Sequence, residues 1–200
     1  RFDGVLGDDD LAARLADRDQ SLCIVNSRKQ ARRLHELLDG EDSYHLTTLM
    51  HPVHRERVLN EIRQRLREGR TCRVVATSLI EAGVDVDFPV VYRALAGVDS
   101  MVQAAGRCNR EGRQSAEESI VHVFEPADDY ALPSDVAQKV AIARSVISEM
   151  EGAACESCDI GALEAIDAYF ARLYAVREGA LDASGVLRDL EGFSLKSLNI

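Results

Sequence analysis

The sequence predicts an α/β protein built on a mainly parallel sheet with helices on both sides, followed by a helical C-terminal extension. Three observations predict it. Short apolar runs rich in β-branched residues, among them Leu22-Cys23-Ile24-Val25, Val74-Val75 and Val90-Val91-Tyr92, alternate with segments whose apolar residues recur at helical spacing. Strands separated by helices pair in parallel and need cover on both faces, with right-handed connections. Composition then shifts near Glu125-Pro126, beyond which only helical patterns remain. Residues 1–125 are therefore read as one unit and 126–200 as a helical extension or linker region.

Taken in order, Asp8-Asp9-Asp10 lead Leu11, Ala12, Leu15 and Ala16 and read as an acidic cap on a short helix. Ser21 to Asn26 reads as a strand. Ser27 then caps a helix with Ala31, Leu34, Leu37 and Leu38 on its apolar face, closing at Gly40. Tyr44 to Leu49 is the next strand, and Pro52 suits the first turn of the helix after it. That helix presents Val53, Val58, Ile62 and Leu66 at helical spacing and ends at Gly69, with Arg55, Arg57, Arg63, Arg65 and Arg67 on a solvated face. Strands at Val74-Val75, Val90 to Tyr92 and Ser119 to Phe124 complete the unit, with a short helical segment after Asp99, read as its N-cap. Two helices follow, about Ser134 to Met150 and about Asp159 to Arg177. The second carries a stripe of Leu163, Ile166, Phe170, Leu173 and Tyr174, read as a packing face.

The chain has 200 residues, 46% of them apolar, and no run long enough to cross a bilayer, so a soluble protein is expected. It begins at Arg1 without a basic-then-apolar leader, as a piece of something longer would. The net charge of −10 is uneven: residues 1–110 hold 17 basic and 17 acidic residues, whereas residues 111–200 hold 7 and 17. The acidity belongs to the tail. Within 26–70 ten basic residues face seven acidic ones, which permits a nucleic-acid partner. Five cysteines form an odd set and suit a reduced cytoplasm. Cys155 and Cys158 form a C-x-x-C with no second ligand pair, and His45, His51 and His54 lack an Asp or Cys to complete a site, so no metal ligands are expected.

The chain is organised around Arg73 to Arg113, RVVATSLIEAGVDVDFPVVYRALAGVDSMVQAAGRCNREGR. Arg107 and Arg110, at i and i+3, are expected on one side of a helix, reaching one small anionic target. Arg113 reads as a surface charge. Thr77 to Asp85 resembles motif V, and Gln103-Ala104-Ala105-Gly106-Arg107-Cys108-Asn109-Arg110 resembles motif VI, Q-x-x-G-R-x-x-R, of the second RecA-like lobe of superfamily 2 helicases. The fuller wording SLIEAGVDVDFPVVYRALAGVDSMVQAAGRCNREG is similar to the CRISPR-associated helicase-nuclease of type I interference systems.

The resemblance implies a RecA-like three-layer domain and a role for each matching residue. Arg107 and Arg110 would be arginine fingers on the γ-phosphate of ATP, Gln103 would couple the nucleotide to the other lobe, and Gly83, Asp85 and Gly106 would shape the nucleotide side of the cleft. Arg suits this task because its planar fork is always charged. Thr77, at a strand end, would meet a nucleic-acid phosphate, as would Ser27 and Arg28 in a motif IV position and one of Thr47 and Thr48 with Arg55. Taken singly, Thr77 is an ordinary strand end and Asp85 a turn carboxylate. Their ordered set with Gly83, Gln103, Gly106, Arg107 and Arg110 points to the family.

The sequence contains no G-x-x-x-x-G-K-[ST], no Asp-Glu box after an apolar strand and no His-Asp nuclease dyad. Half a motor is expected. ATP would bind with Mg²⁺ held by a first lobe outside this chain, and the partners would be that lobe, single-stranded DNA and an RNA-guided CRISPR surveillance complex, with no membrane. The chain alone would hydrolyse no ATP. The alternatives are the second lobe of another superfamily 2 motor, on DNA or RNA, and a non-enzymatic α/β adaptor binding protein through its acidic tail.

Overall fold

Along two strands the side chains divide cleanly between the faces of a sheet. Leu22, Ile24, Val74 and Ala76 enter one core, while Cys23, Val25 and Val75 enter another. This two-residue period is what a strand buried on both sides requires. The computed structural model describes residues 1–81, 83–112, 115, 119–152, 159–178 and 185–186.

The elements run β1 (Phe2–Leu6), α1 (Asp8–Ala16), β2 (Gln20–Ile24), α2 (Arg28–Leu38), β3 (Ser43–Leu46), α3 (Pro52–Arg67), β4 (Cys72–Ala76), a 3-10 turn (Ser78–Ile80), β5 (Val91–Ala94), α4 (Val98–Ala105), β6 (Val121–Pro126), α5 (Ser134–Gly152) and α6 (Leu163–Arg177). All six strands are parallel, in the order β1-β6-β5-β2-β4-β3. Helices α1 and α2 cover one face, where Leu11, Leu15, Ala31 and Leu34 are fully or almost fully buried. Helix α3, the 77–90 segment and Ala104 of α4 cover the other. This is the RecA-like three-layer α/β architecture.

A third core joins Leu95, Val98, Met101 and Val123 to Ala143, Val146 and Ile147 of α5 and to Tyr169 and Leu173 of α6. The helical pair therefore packs on α4 and β6. Gly97 marks the closest approach, because a Cβ there would run into the Asp99 carboxylate and the Tyr169 hydroxyl.

Several expectations change. Strand β1 was not anticipated: it adds an edge beside β6, and the Arg1 main-chain nitrogen donates to the Val121 carbonyl at 3.0 Å. Strand β3 ends at Leu46, leaving Thr47 to Leu49 beyond it. Ser27 holds the N-cap position of α2, but its side chain makes no capping bond. Gly97, not Asp99, is the N-cap of α4; Asp99 sits in the first turn and pairs with Lys139 at 3.2 Å. On α3 the buried residues are Leu59 and Ile62, while Val53 is 70% exposed.

Arg65 leaves the solvated face. Its side chain is 11% exposed, pairs with Asp42, lies 5.7 Å from the Tyr44 ring centre and donates to the Thr71 carbonyl at 3.1 Å. The α6 stripe is displaced, since Ala165, Tyr169 and Leu173 are buried whereas Leu163 and Tyr174 are exposed; α5 sets that register by covering the face. Arg113, Cys155 and Cys158 lie outside the described residues.

Candidate functional site

The site is built on the segment that links β4 to β5. It leaves β4 at Thr77, makes the 3-10 turn, passes Gly83 and Asp85, and runs back to enter β5 after Phe88-Pro89. Val84, Val86 and Phe88 alternate into the core and pin it against the sheet. Asp85 is exposed and Asp87 half-buried between them. Gly83 has φ +71 with open space where a Cβ would point, so backbone conformation rather than room calls for glycine.

The turn that follows α4 is stitched to this segment. Helix α4 stops at Ala105 with Gly106 as its C-cap, so Arg107 and Arg110 lie beyond the helix and not on one face of it. Asn109, at φ 48, turns the chain back. The Phe88 amide donates to the Arg107 carbonyl at 2.9 Å, and the Asn109 amide donates to the Phe88 carbonyl at 3.0 Å. The Arg110 amide donates to the Asp87 carboxylate at 2.7 Å.

Both guanidinium groups face the same segment. Arg107 Nη2 donates to the Glu81 carbonyl at 2.8 Å, while its Nε is buried without a hydrogen-bond partner. Arg110 Nη1 pairs with the Asp85 carboxylate at the surface, and Arg63 Nε donates to the Asp85 carbonyl at 2.9 Å. A cavity of about 210 Å³ opens on the Asp85 side of the segment, lined by Arg63, Arg67, Asp85, Asp87 and Asn109 among others but by neither Arg107 nor Arg110. Gln103 is exposed on α4, and Gly106 is exposed at the helix end with an ordinary φ of −65.

The expected nucleic-acid contacts lie at the other end of the same segment. Ile24, Ala76 and Leu46 are in register on neighbouring strands, so the residues that follow β2, β4 and β3 stand side by side along the edge where the strands end. The Thr77 amide donates to the Leu46 carbonyl at 3.1 Å, and its hydroxyl is buried without a partner. Thr47 is buried and Thr48 exposed; Ser27 is half-buried, Arg28 exposed and Arg55 half-buried. Among the described residues no group of three or more His, Cys, Asp or Glu is placed to hold a metal ion, and no helix is long and apolar enough to cross a membrane.

One pair escaped sequence reasoning. Arg93 of β5 is 2% exposed, and its Nη2 lies 2.9 Å from the carboxylate of Glu81, itself 5% exposed. Burial pulls the Arg93 guanidinium below its ordinary range and pushes the Glu81 carboxyl up, with each partner's charge opposing the shift in the other. Arg93 Nη1 also donates to the Asn26 side-chain carbonyl and the Ala94 carbonyl, both at 2.8 Å. The signal was a charged residue inside the apolar run Val90-Val91-Tyr92-Arg93-Ala94-Leu95, since arginine is rarely buried unless paired.

The model of the family described as CRISPR-associated nuclease/helicase Cas3, C-terminal, matches residues 17–113. The CRISPR-associated nuclease/helicase Cas3 of Methanothermobacter thermautotrophicus is 31% identical over 111 residues, which are 54% of this chain and 13% of that protein. The crystal structure of T. fusca Cas3-ATP aligns with a TM-score of 0.62 at 17% identity, over 98% of this chain and 25% of that one. A chain of a CRISPR RNA-guided surveillance complex, pre-nicking, aligns with a TM-score of 0.54 at 18% identity, over 89% and 24%. This chain thus spans a small part of the length of its relatives. Residues 17–113 thus resemble the C-terminal helicase lobe of Cas3 proteins, on a RecA-like fold.

Proposed function

We propose that this chain is the second motor lobe of an ATP-dependent single-stranded-DNA translocase and helicase that works in type I CRISPR interference. The observation that carries the reading is the 77–90 segment, which has a strand-end hydroxyl without a partner at Thr77 and two guanidinium groups gathered on its carbonyl and carboxylate oxygens at Glu81 and Asp85. The first suits a backbone phosphate and the second a polyphosphate.

The residues fit ATP presented by a first lobe. When bound there with Mg²⁺, ATP supplies the γ-phosphoryl group and the negative charge that builds as it transfers. Arg107, already anchored through Nη2, would aim its remaining N–H groups into the cleft. Arg110 would exchange the Asp85 carboxylate for a phosphate oxygen, which a surface pair permits because its net energy is small. Gly83 keeps Asp85 turned outward, Gly106 ends α4 so that the turn can project, and Gln103 would link the nucleotide to the facing lobe. Along the strand-end edge, Thr77, Ser27, Arg28, one of Thr47 and Thr48, and Arg55 would hold successive phosphates of one DNA strand. Opening and closing of the cleft would move that strand. The likeness to a chain of a surveillance complex supports delivery of the DNA by such a complex.

The test is ATP turnover by this chain combined with an ATP-binding lobe of the same enzyme, with and without single-stranded DNA. Turnover is expected only in the combination, stimulated by DNA and lost with Arg107→Ala or Arg110→Ala. A combination that never hydrolyses ATP, or hydrolyses it equally well without the two arginines, overturns the reading.

A further inference from the structure

The buried Glu81–Arg93 pair lies between the two halves of the motor surface. On one side Arg93 Nη1 donates to the Asn26 side-chain carbonyl at 2.8 Å, and Asn26 Nδ2 donates to the Leu95 carbonyl at 2.8 Å. Asn26 directly precedes Ser27, at the strand-end edge. On the other side the main-chain carbonyl of Glu81 accepts from Arg107 Nη2 at 2.8 Å. An unbroken polar chain thus runs from the edge, through Asn26, Arg93 and Glu81, to the Arg107 guanidinium.

Stability alone accounts poorly for this arrangement, because a buried ion pair is commonly no more stabilising than apolar residues of similar volume. What the pair does supply is a fixed direction. Arg93 donates from Nη1 to Asn26 and the Ala94 carbonyl and sets Nη2 2.9 Å from the Glu81 carboxylate as an ion pair, so a displacement of Asn26 alters how Glu81 is held. Glu81 in turn carries the oxygen on which Arg107 rests.

Resting on the proposed motor-lobe function, we infer that Glu81 and Arg93 are positioning residues that transmit occupancy of the strand-end edge to the aim of Arg107. They touch neither ligand. Their loss should uncouple DNA from hydrolysis rather than abolish the binding of either.

The experiment measures the ratio of turnover at saturating single-stranded DNA to turnover without DNA, in the complete protein, alongside thermal unfolding. Three variants are compared with the unaltered protein: Glu81→Gln, the double variant Glu81→Leu/Arg93→Met, and Asn26→Ala, which cuts the link to the edge and leaves the ion pair in place. The ratio is expected to fall at least tenfold in all three, and the double variant is expected to recover thermal stability without recovering the ratio. A double variant that recovers both, or an Asn26→Ala protein that keeps its full ratio, overturns the inference and leaves the pair structural. Should Glu81→Gln fail to fold, the other two variants decide. An unaltered protein that shows no stimulation by DNA refutes instead the motor-lobe reading on which the inference rests.

Discussion

Two arginine–carboxylate pairs sit within five positions of each other on the 77–90 segment, and they could hardly differ more. Glu81–Arg93 has side chains 5% and 2% exposed; Asp85–Arg110 has side chains 80% and 47% exposed. The buried pair cannot exchange partners without leaving a charge in an apolar interior, whereas the surface pair gives up little when it opens. Identical functional groups therefore serve as a fixed joint at one end of the segment and as a replaceable contact at the other. What separates them is the alternation of Val84, Val86 and Phe88 into the core, which turns Asp85 outward.

The largest effect that would sharpen this contrast is on turnover. Arg110→Ala in the complete enzyme should lower ATP hydrolysis by about 10³ to 10⁵, the range for arginine fingers, while DNA affinity measured by fluorescence anisotropy changes less than about threefold. Normal turnover would show that the exposed pair is mere surface charge. Next in size, Arg93→Met should destabilise the fold by about 3 to 5 kcal/mol in urea unfolding, because Glu81 is left buried and uncompensated. A loss below about 1 kcal/mol would put both pairs in one class.

Gly97→Ala should cost about 1 to 3 kcal/mol through overpacking against Asp99 and Tyr169, with loss of α5–α6 protection in hydrogen exchange as the more direct readout. A smaller effect concerns a half-buried pair of imidazoles. His35 and His45 stack at 5.6 Å, and burial holds both imidazoles below their ordinary value of 6.5. The folded state then binds fewer protons than the unfolded one. Stability is full above about 6.5 and falls as pH drops through the lowered folded values. The melting temperature should accordingly decrease between pH 7.5 and pH 5, and less so in His35→Gln/His45→Gln. Smallest of all, Asp85→Asn should change stability by less than about 1 kcal/mol.

Much of this was legible in the sequence because the relevant signals are local. β-branched runs and helical periods gave β2, β4, α2 and α3, since each buries a face fixed by its own spacing. The residues of motifs V and VI lie together, with Arg110 on Asp85 and Arg107 on the Glu81 carbonyl. What was not legible depends on distant partners. Strand β1 reads as Phe2-Asp3-Gly4-Val5-Leu6, where Asp3 and a glycine at φ +78 interrupt the pattern that would declare it; pairing with β6 makes it a strand. The end of α4 was missed because Gln103 to Arg110 still spaces like a helix, and the turn is fixed by hydrogen bonds to Phe88. Arg65 looked like its neighbours on α3 until Tyr44 and Asp42 came beside it.

The pairing of β1 with β6 bears on how the chain emerges from the ribosome. Arg1 and Val121 are 120 residues apart in sequence, yet among the described residues β1 pairs with β6 alone. At synthesis rates of roughly 5 to 20 residues per second, that strand waits on the order of ten seconds while the interior of the sheet can already assemble without it. Its short length, its Asp3 and its internal Gly4 then read as protection: a segment exposed for so long is safer when it is a poor template for pairing with other nascent chains.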